Sequence, residues 1–217
     1  MDVVIETAGV ALATLFATIS PVDTAAMYAA LAAENTAEQR RSMAVRGIIV
    51  ATIILLLFAL FGEALLVRLG ISLAAWRTAG GILLLLIAID MVFARESGGT
   101  STTEAEATEA ANKQDIAVFP LATPLIAGPG AMGAVILLMA DAQGDVVAQA
   151  TVVGCLLAIL LLTLLLLLGA TRVQKYVGVT GLHVLNRVFG VVLAALAVQF
   201  IFEGIAQSGL FSSVLGG

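Results

Sequence analysis

Histidine, cysteine and tryptophan each occur once in this 217-residue chain, as His183, Cys155 and Trp76. One cysteine gives no disulfide framework and no cysteine-based metal site, and its apolar surroundings suit a small packed side chain. Neither His-Glu-x-x-His nor Gly-x-Ser-x-Gly occurs. Metal-assisted hydrolysis and Ser-His chemistry therefore lack parts, and an enzyme is not expected. No ATP motif is present either, so any energy source is an ion or cargo gradient. Charge is scarce: 12% of residues are charged against 61% hydrophobic, with a mean hydropathy of +1.11. A soluble domain of this size cannot hide that much apolar surface, so the class is an all-α polytopic membrane protein. The net charge of −5 argues against a nucleic-acid surface. The acidic start, with Asp2 and Glu6, lacks the basic region of a cleaved signal, so the first apolar segment is expected to stay as a span.

Proline is rare as well, and its four copies sit in two patches inside apolar segments. Pro21 lies in Ile19-Ser20-Pro21-Val22-Asp23-Thr24, and Pro120, Pro124 and Pro129 lie between Phe119 and Ala131. A proline removes one backbone donor and clashes with the carbonyl four residues back. In hydrocarbon the freed group has no water to turn to, so a break is tolerated only where protein buries it or a wet cavity reaches it. One such break in each half of a chain is a pointer to a transporter's binding site.

About 20 apolar residues cross the bilayer core. Six segments qualify: Val3–Ala33, Gly47–Val67, Leu73–Ala94, Ile116–Ala140, Val146–Gly169 and Val184–Ala206. The first is too long for one straight span, and Pro21 divides it. The fifth contains the leucine-rich run Leu160–Leu168, which predicts a smooth lipid-facing surface. Residues 96–115 are rich in Gly, Ser, Thr and Glu with no large apolar side chain, and read as a flexible acidic cytoplasmic linker. It separates two three-span halves, residues 1–95 and 116–217. Arg40, Arg41, Arg46, Arg95, Lys113, Arg172, Lys175 and Arg187 fall in loops on one side; only Arg68 and Arg77 fall on the other. That bias puts the linker in the cytoplasm and both termini outside the cell membrane. Glu63, Arg68 and Arg77, near the outer ends of their spans, are expected to snorkel.

The halves look alike. Ser20-Pro21 matches Thr123-Pro124, and Ala-Met follows each pair, at Ala26-Met27 and Ala131-Met132. Arg77-x-x-Gly80-x-x-Leu83 in the third span aligns with Arg187-x-x-Gly190-x-x-Leu193 in the sixth. Copies of a three-span unit must insert in opposite senses. The expected fold is therefore six transmembrane helices in two inverted-topology repeats, with helices 1 and 4 broken at Pro21 and Pro124–Pro129.

These motifs resemble the MarC family of bacterial and archaeal membrane proteins, which includes SnatA-type transporters of small neutral amino acids. The likeness covers nearly all six spans. Its most specific part is Pro120-Leu-Ala-Thr-Pro-Leu-Ile-Ala-Gly-Pro-Gly-Ala131, close to the family's Pro-Leu-Ala-x-Pro-Leu-x-Ala-Gly-Pro-Gly-Ala. In the first half the family pattern is Pro-x-Gly-Asn with a second proline soon after. Here Asp23 holds the Gly position, Thr24 the Asn position and Ala26 that of the second proline. The resemblance implies a secondary transporter, exporter or exchanger, of Gly, Ala or Ser by alternating access.

Such a cargo carries a carboxylate, which needs donors, and an ammonium, which needs acceptors. Broken helices offer free N–H groups and carbonyls. Gly128 and Gly130 are expected to let a ligand approach the backbone, and Ser20, Thr24 and Thr123 to add hydroxyls. Asp23 could bind the ammonium, hold Na⁺ or carry a coupling H⁺; alternatively it caps the second half-helix. Gln199 is a candidate hydrogen-bonder to the same site, which thus comprises Ser20, Pro21, Asp23, Thr24, Thr123, Pro124, Gly128, Pro129, Gly130 and Gln199. No metal or organic cofactor is expected; partners are the amino acid and the bilayer, with a homo-oligomer compatible. The alternatives are a small-solute or ion channel, which would want a polar stripe along its spans, and a non-transport membrane subunit.

Overall fold

In the computed structural model the described residues are 2–33, 35–93, 116–142 and 144–208, with the side chains of 2–3, 170–183 and 185–186 outside that description. The predicted linker at 96–115 lies outside the described residues, as do Arg95 and the side chains of Arg172, Lys175 and His183. The described residues form helices throughout. In chain order these are α1 (Asp2–Ile19), α2 (Pro21–Leu31), α3 (Ala37–Arg68), α4 (Leu73–Phe93), an irregular wide-turned segment (Ala117–Ile126), α5 (Pro129–Asp141), α6 (Val146–Leu168) and α7 (Ala170–Gln207).

Local chemistry sets most boundaries. Thr36 begins α3 with a reciprocal cap: its hydroxyl accepts from Gln39 N at 3.3 Å, and Gln39 Oε1 accepts from Thr36 N at 2.8 Å. Asp145 begins α6 by accepting from Val147 N at 2.8 Å and Ala148 N at 3.1 Å. With 32 residues, α3 is about 48 Å long, so it overshoots a hydrocarbon core of about 30 Å. Its amino-terminal turns carry Arg40, Arg41 and Arg46, and Tyr28 of α2 donates to the Arg40 carbonyl there.

Among the described residues, five stretches are long and apolar enough to cross a membrane, Val4–Leu31 among them, and a sixth arises if the bent pair 117–126 and Pro129–Asp141 counts as one. The surface agrees with that setting. Ile49, Ile53, Leu57, Leu60 and Phe61 line one side of α3, each half exposed or more, which is ruinous in water and neutral in lipid. The leucine run of α6 is not uniformly lipid-facing as predicted. Leu160, Thr163 and Leu167 are buried at helical spacing, while Leu161, Leu165 and Leu168 are exposed. A second expectation also changes: the polar stretch before the sixth span is not a loop, because α7 already starts at Ala170, one residue after α6.

Helices that follow one another in sequence pack sparsely. The extensive pairings all join a helix before residue 95 to one after 115: α1 and α2 on α6, α3 on the 117–126 segment and α5, and above all α4 on α7. The α4–α7 pair is antiparallel and close. A Cβ on Gly81 would stand 2.7 Å from the Ala197 carbonyl oxygen, and one on Gly190 would stand 2.9 Å from Met91 Cβ. Small residues of this kind let backbones approach in membranes, where no solvent drives helices together. The largest fully buried side chains, including Leu15, Ile19, Tyr28, Leu84, Leu121 and Leu137, form one core shared by both halves.

Candidate functional site

The first break lies between α1 and α2. Ser20 adopts the left-handed region at φ 44° and ψ 65°, and Pro21 opens α2 at its first position. Pro21 cannot donate to the Ala17 carbonyl, and the Ser20 hydroxyl donates to it instead at 2.8 Å. The Thr24 hydroxyl donates to the Ile19 carbonyl at 3.0 Å. The Ala17 and Ile19 carbonyls at the break are therefore satisfied from within the chain, as burial in a bundle demands. Ser20 and Thr24 keep only their acceptor lone pairs for anything else.

The second break is longer. Phe119 and Thr123 are extended, at φ −131° and φ −137°, each ahead of a cis proline. A residue before proline is pushed out of helical geometry. Wide bonds from Leu121 N to Ile116 O (3.1 Å) and from Ala127 N to Ala122 O (2.8 Å) hold the segment together. The chain then bends by 53° into α5, which starts at Pro129 after an extended Gly128.

The two broken spans pack against each other, α1 on α5 and α2 on the 117–126 segment. Both α2 and α5 begin with a proline, and neither receives a side-chain bond from its capping residue, Ser20 or Gly128. Each break thus presents the positive dipole end of a helix. Asp23 is half-buried at the third position of α2. Ser20 holds the capping position without a side-chain cap bond, and Asp23 is the acid of the first turn.

A cavity of about 410 Å³ opens at the end of the bundle that carries Arg68 and Arg77. Its polar lining is Glu6, Thr7, Asp141, Asp145, Gln199 and Glu203. Gln199 Nε2 donates to Glu203 Oε1 at 2.7 Å. Arg77, only 7% exposed, does not snorkel as predicted; its Nη2 donates to Asp141 Oδ1 at 2.6 Å. A guanidinium with a carboxylate in reach has no need to find water.

Of the predicted residues, Ser20, Pro21, Thr24 and Gly128 are buried at the breaks, Asp23, Thr123 and Pro124 are half-buried, and Pro129 is exposed. Gly130 is not open to a ligand as expected. The space where its Cβ would stand is taken by Ile87 Cδ1 of α4, so the missing side chain serves helix packing. Gln199 lines the cavity at the bundle end, not a break. Sequence reasoning missed Asp141 and the hydroxyls of α1. Thr7 borders the cavity, Thr14 is fully buried with no partner for Oγ1 among the described residues, and Thr18 donates to the Thr14 carbonyl at 2.8 Å. At helical pitch these three fall within about 40° of one another, a hydroxyl stripe from the cavity to the break. Their spacing of seven and four was legible; apolar counting hid it.

A bundle of long apolar helices with a buried polar level is an integral membrane protein with several transmembrane-capable helices. The family model for "MarC family integral membrane protein" matches residues 5–208. A UPF0056 membrane protein of Methanocaldococcus jannaschii is 40% identical, over 90% of this chain and 94% of its own length. The UPF0056 membrane protein YvbG of Bacillus subtilis is 33% identical, over 91% and 92%. YhcE of Escherichia coli is 31% identical, over 93% and 92%. No solved structure matches. The chain belongs to the MarC family of integral membrane proteins.

Proposed function

We propose that the protein is a secondary transporter of small neutral amino acids, an exporter or exchanger working by alternating access, not an enzyme. The observation that carries this reading is that each half breaks a span and restarts it with a proline-initiated helix whose N-terminus has no side-chain cap, Pro21 after the buried Ser20 and Pro129 after the buried Gly128. Such N-termini suit a carboxylate, and Asp23 in the first turn of α2 suits the ammonium or a coupling Na⁺ or H⁺. The small side chains around them suit Gly, Ala or Ser.

The pattern of packing supports an inverted repeat. Exchanging the halves turns α1 and α2 on α6 into the 117–126 segment and α5 on α3, and maps the α4–α7 pair onto itself; all of these contacts are present. In the aligned frame, Gly190 against Met91 becomes Gly80 against Ile201. The neighbouring Gly81 is the residue whose Cβ would meet Ile201, at 2.7 Å from Cγ1. The Lys and Arg bias supports a reading in which the cavity faces the outside of the cell membrane. The Thr7–Thr14–Thr18 stripe then offers cargo hydroxyls over the distance between cavity and break, about 15 Å from Val10 to Ser20.

The test is counterflow in liposomes preloaded with alanine, measured for labelled alanine with and without pH and Na⁺ gradients. A carrier gives saturable counterflow, and Asp23→Asn loses or uncouples it. Unsaturable flux would favour a channel, and no flux with any small amino acid would sink the substrate assignment. Unchanged counterflow in Asp23→Asn would reduce Asp23 to a dipole partner.

A further inference from the structure

The Arg77–Asp141 pair is half made. On a guanidinium, Nε and Nη2 share one edge and can grip both oxygens of a carboxylate at once. Here Nη2 meets Asp141 Oδ1, but Nε is buried and meets no acceptor among the described residues. A buried, unpartnered donor on a permanent cation is costly, and it marks a place where a further acceptor belongs. The residue holding the other end of that edge, Asp141, is 44% exposed and lines the cavity of about 410 Å³. Glu203 and Gln199 stand on the same lining, joined at 2.7 Å. The cavity has room for on the order of a dozen waters, and so for a small amino acid with part of its hydration.

We infer that this cavity is a second, outer docking site for a zwitterionic amino acid. Among the described residues, Arg77 is buried and joins the cavity lining only through Asp141. The cargo carboxylate displaces Asp141 from Nη2 and takes the Nε–Nη2 edge, and the released Asp141 carboxylate takes the cargo ammonium with Glu203. The inference rests on the transport reading for its cargo, but it adds a place that the helix breaks do not provide. Exchange of one carboxylate for another leaves the charge around Arg77 balanced at every stage, which allows rapid docking and release in a partly dry site. It also selects for cargo with both charges. A carboxylate without an ammonium would strand Asp141, and an ammonium without a carboxylate would leave the Arg77–Asp141 pair in place.

The experiment uses the full chain with Gln199→Cys in a Cys155→Ala background, alkylated by a membrane-impermeant maleimide. Gln199 is exposed on the cavity wall, so its modification reports occupancy of that cavity. L-Alanine is expected to slow the reaction saturably, while propionate and alaninamide need about tenfold higher concentration or fail. Arg77→Lys keeps the charge but loses the fork, and should raise the half-protecting alanine concentration about tenfold. Asp141→Asn removes the competing carboxylate, so it should improve protection by propionate while weakening that by alanine. Equal protection by alanine and alaninamide, or an unchanged alanine concentration in Arg77→Lys, would overturn the inference. Should Arg77→Lys fail to fold, Glu203→Gln decides: unchanged alanine protection there counts against the site. Alanine counterflow by the unaltered protein with no protection of Cys at 199 sinks this site alone. Absence of counterflow with protection intact sinks the transport reading alone.

Discussion

If Ser20 and Thr24 serve the backbone at the first break, removing their hydroxyls has a cost that can be worked out. In Thr24→Val the side-chain shape is kept and only the donor to the Ile19 carbonyl, now 3.0 Å away, is lost. In Ser20→Ala the donor to the Ala17 carbonyl at 2.8 Å is lost. Each leaves a buried acceptor unmatched, a penalty of about 1–3 kcal/mol in general and about 0.6–1.7 kcal/mol where membrane helices have been measured. We expect about 1–2 kcal/mol for each. The two bonds use different donors and different carbonyls but share one break, where Thr24 N donates to Ser20 O at 3.0 Å, so the double variant should lose about 2–4 kcal/mol with a coupling term of about 0.5 kcal/mol or more. The assay is reversible unfolding in mixed detergent and SDS micelles, followed by circular dichroism. A rise in half-saturating alanine with stability unchanged would refute the reasoning, since it would mean the hydroxyls face cargo and not carbonyls. Loss of stability with half-saturation preserved is the expected result.

Gly81→Ala should destabilise by about 2 kcal/mol, because the new Cβ meets the backbone oxygen of Ala197 at 2.7 Å and the backbone nitrogen of Ile201 at 3.0 Å, neither of which can rotate away. Ala79→Leu, on the exposed face of the same helix, should be close to neutral in the same unfolding assay. Gly130→Ala should cost about 1–3 kcal/mol through Ile87 Cδ1 and be partly rescued by Ile87→Val, which deletes that atom; a double-mutant cycle showing no coupling would contradict the packing role.

The spans were legible because a bilayer demands long apolar stretches, and the breaks because proline cannot donate. The positions of Pro21 and Pro129 at the starts of α2 and α5 follow from the same chemistry. The start of α7 was not legible: Arg172, Lys175 and Arg187 look like a loop to a reading based on hydropathy, yet the backbone is helical from Ala170, and hydropathy measures burial in hydrocarbon rather than helix formation. The Arg77–Asp141 pair was hidden because its members lie 64 residues apart and nothing local links them. Gly130 misled for the opposite reason. Its motif suggested ligand approach, but whether the vacant space faces a ligand or Ile87 is decided by α4, far away in sequence.

The cross-half packing also sets an order of events during synthesis. The first three helices leave the ribosome well before the helices they pack against. At about 5–20 residues per second, Asp141 follows Arg77 by roughly 3–13 seconds. During that interval Arg77 has no counterion from α5, and the contact faces at Gly47, Gly62 and Gly81 await Leu121, Ile136 and Ala197. The nascent first half must therefore be held, by the insertion machinery or by lipid headgroups at the bilayer edge, until its other half arrives to complete it.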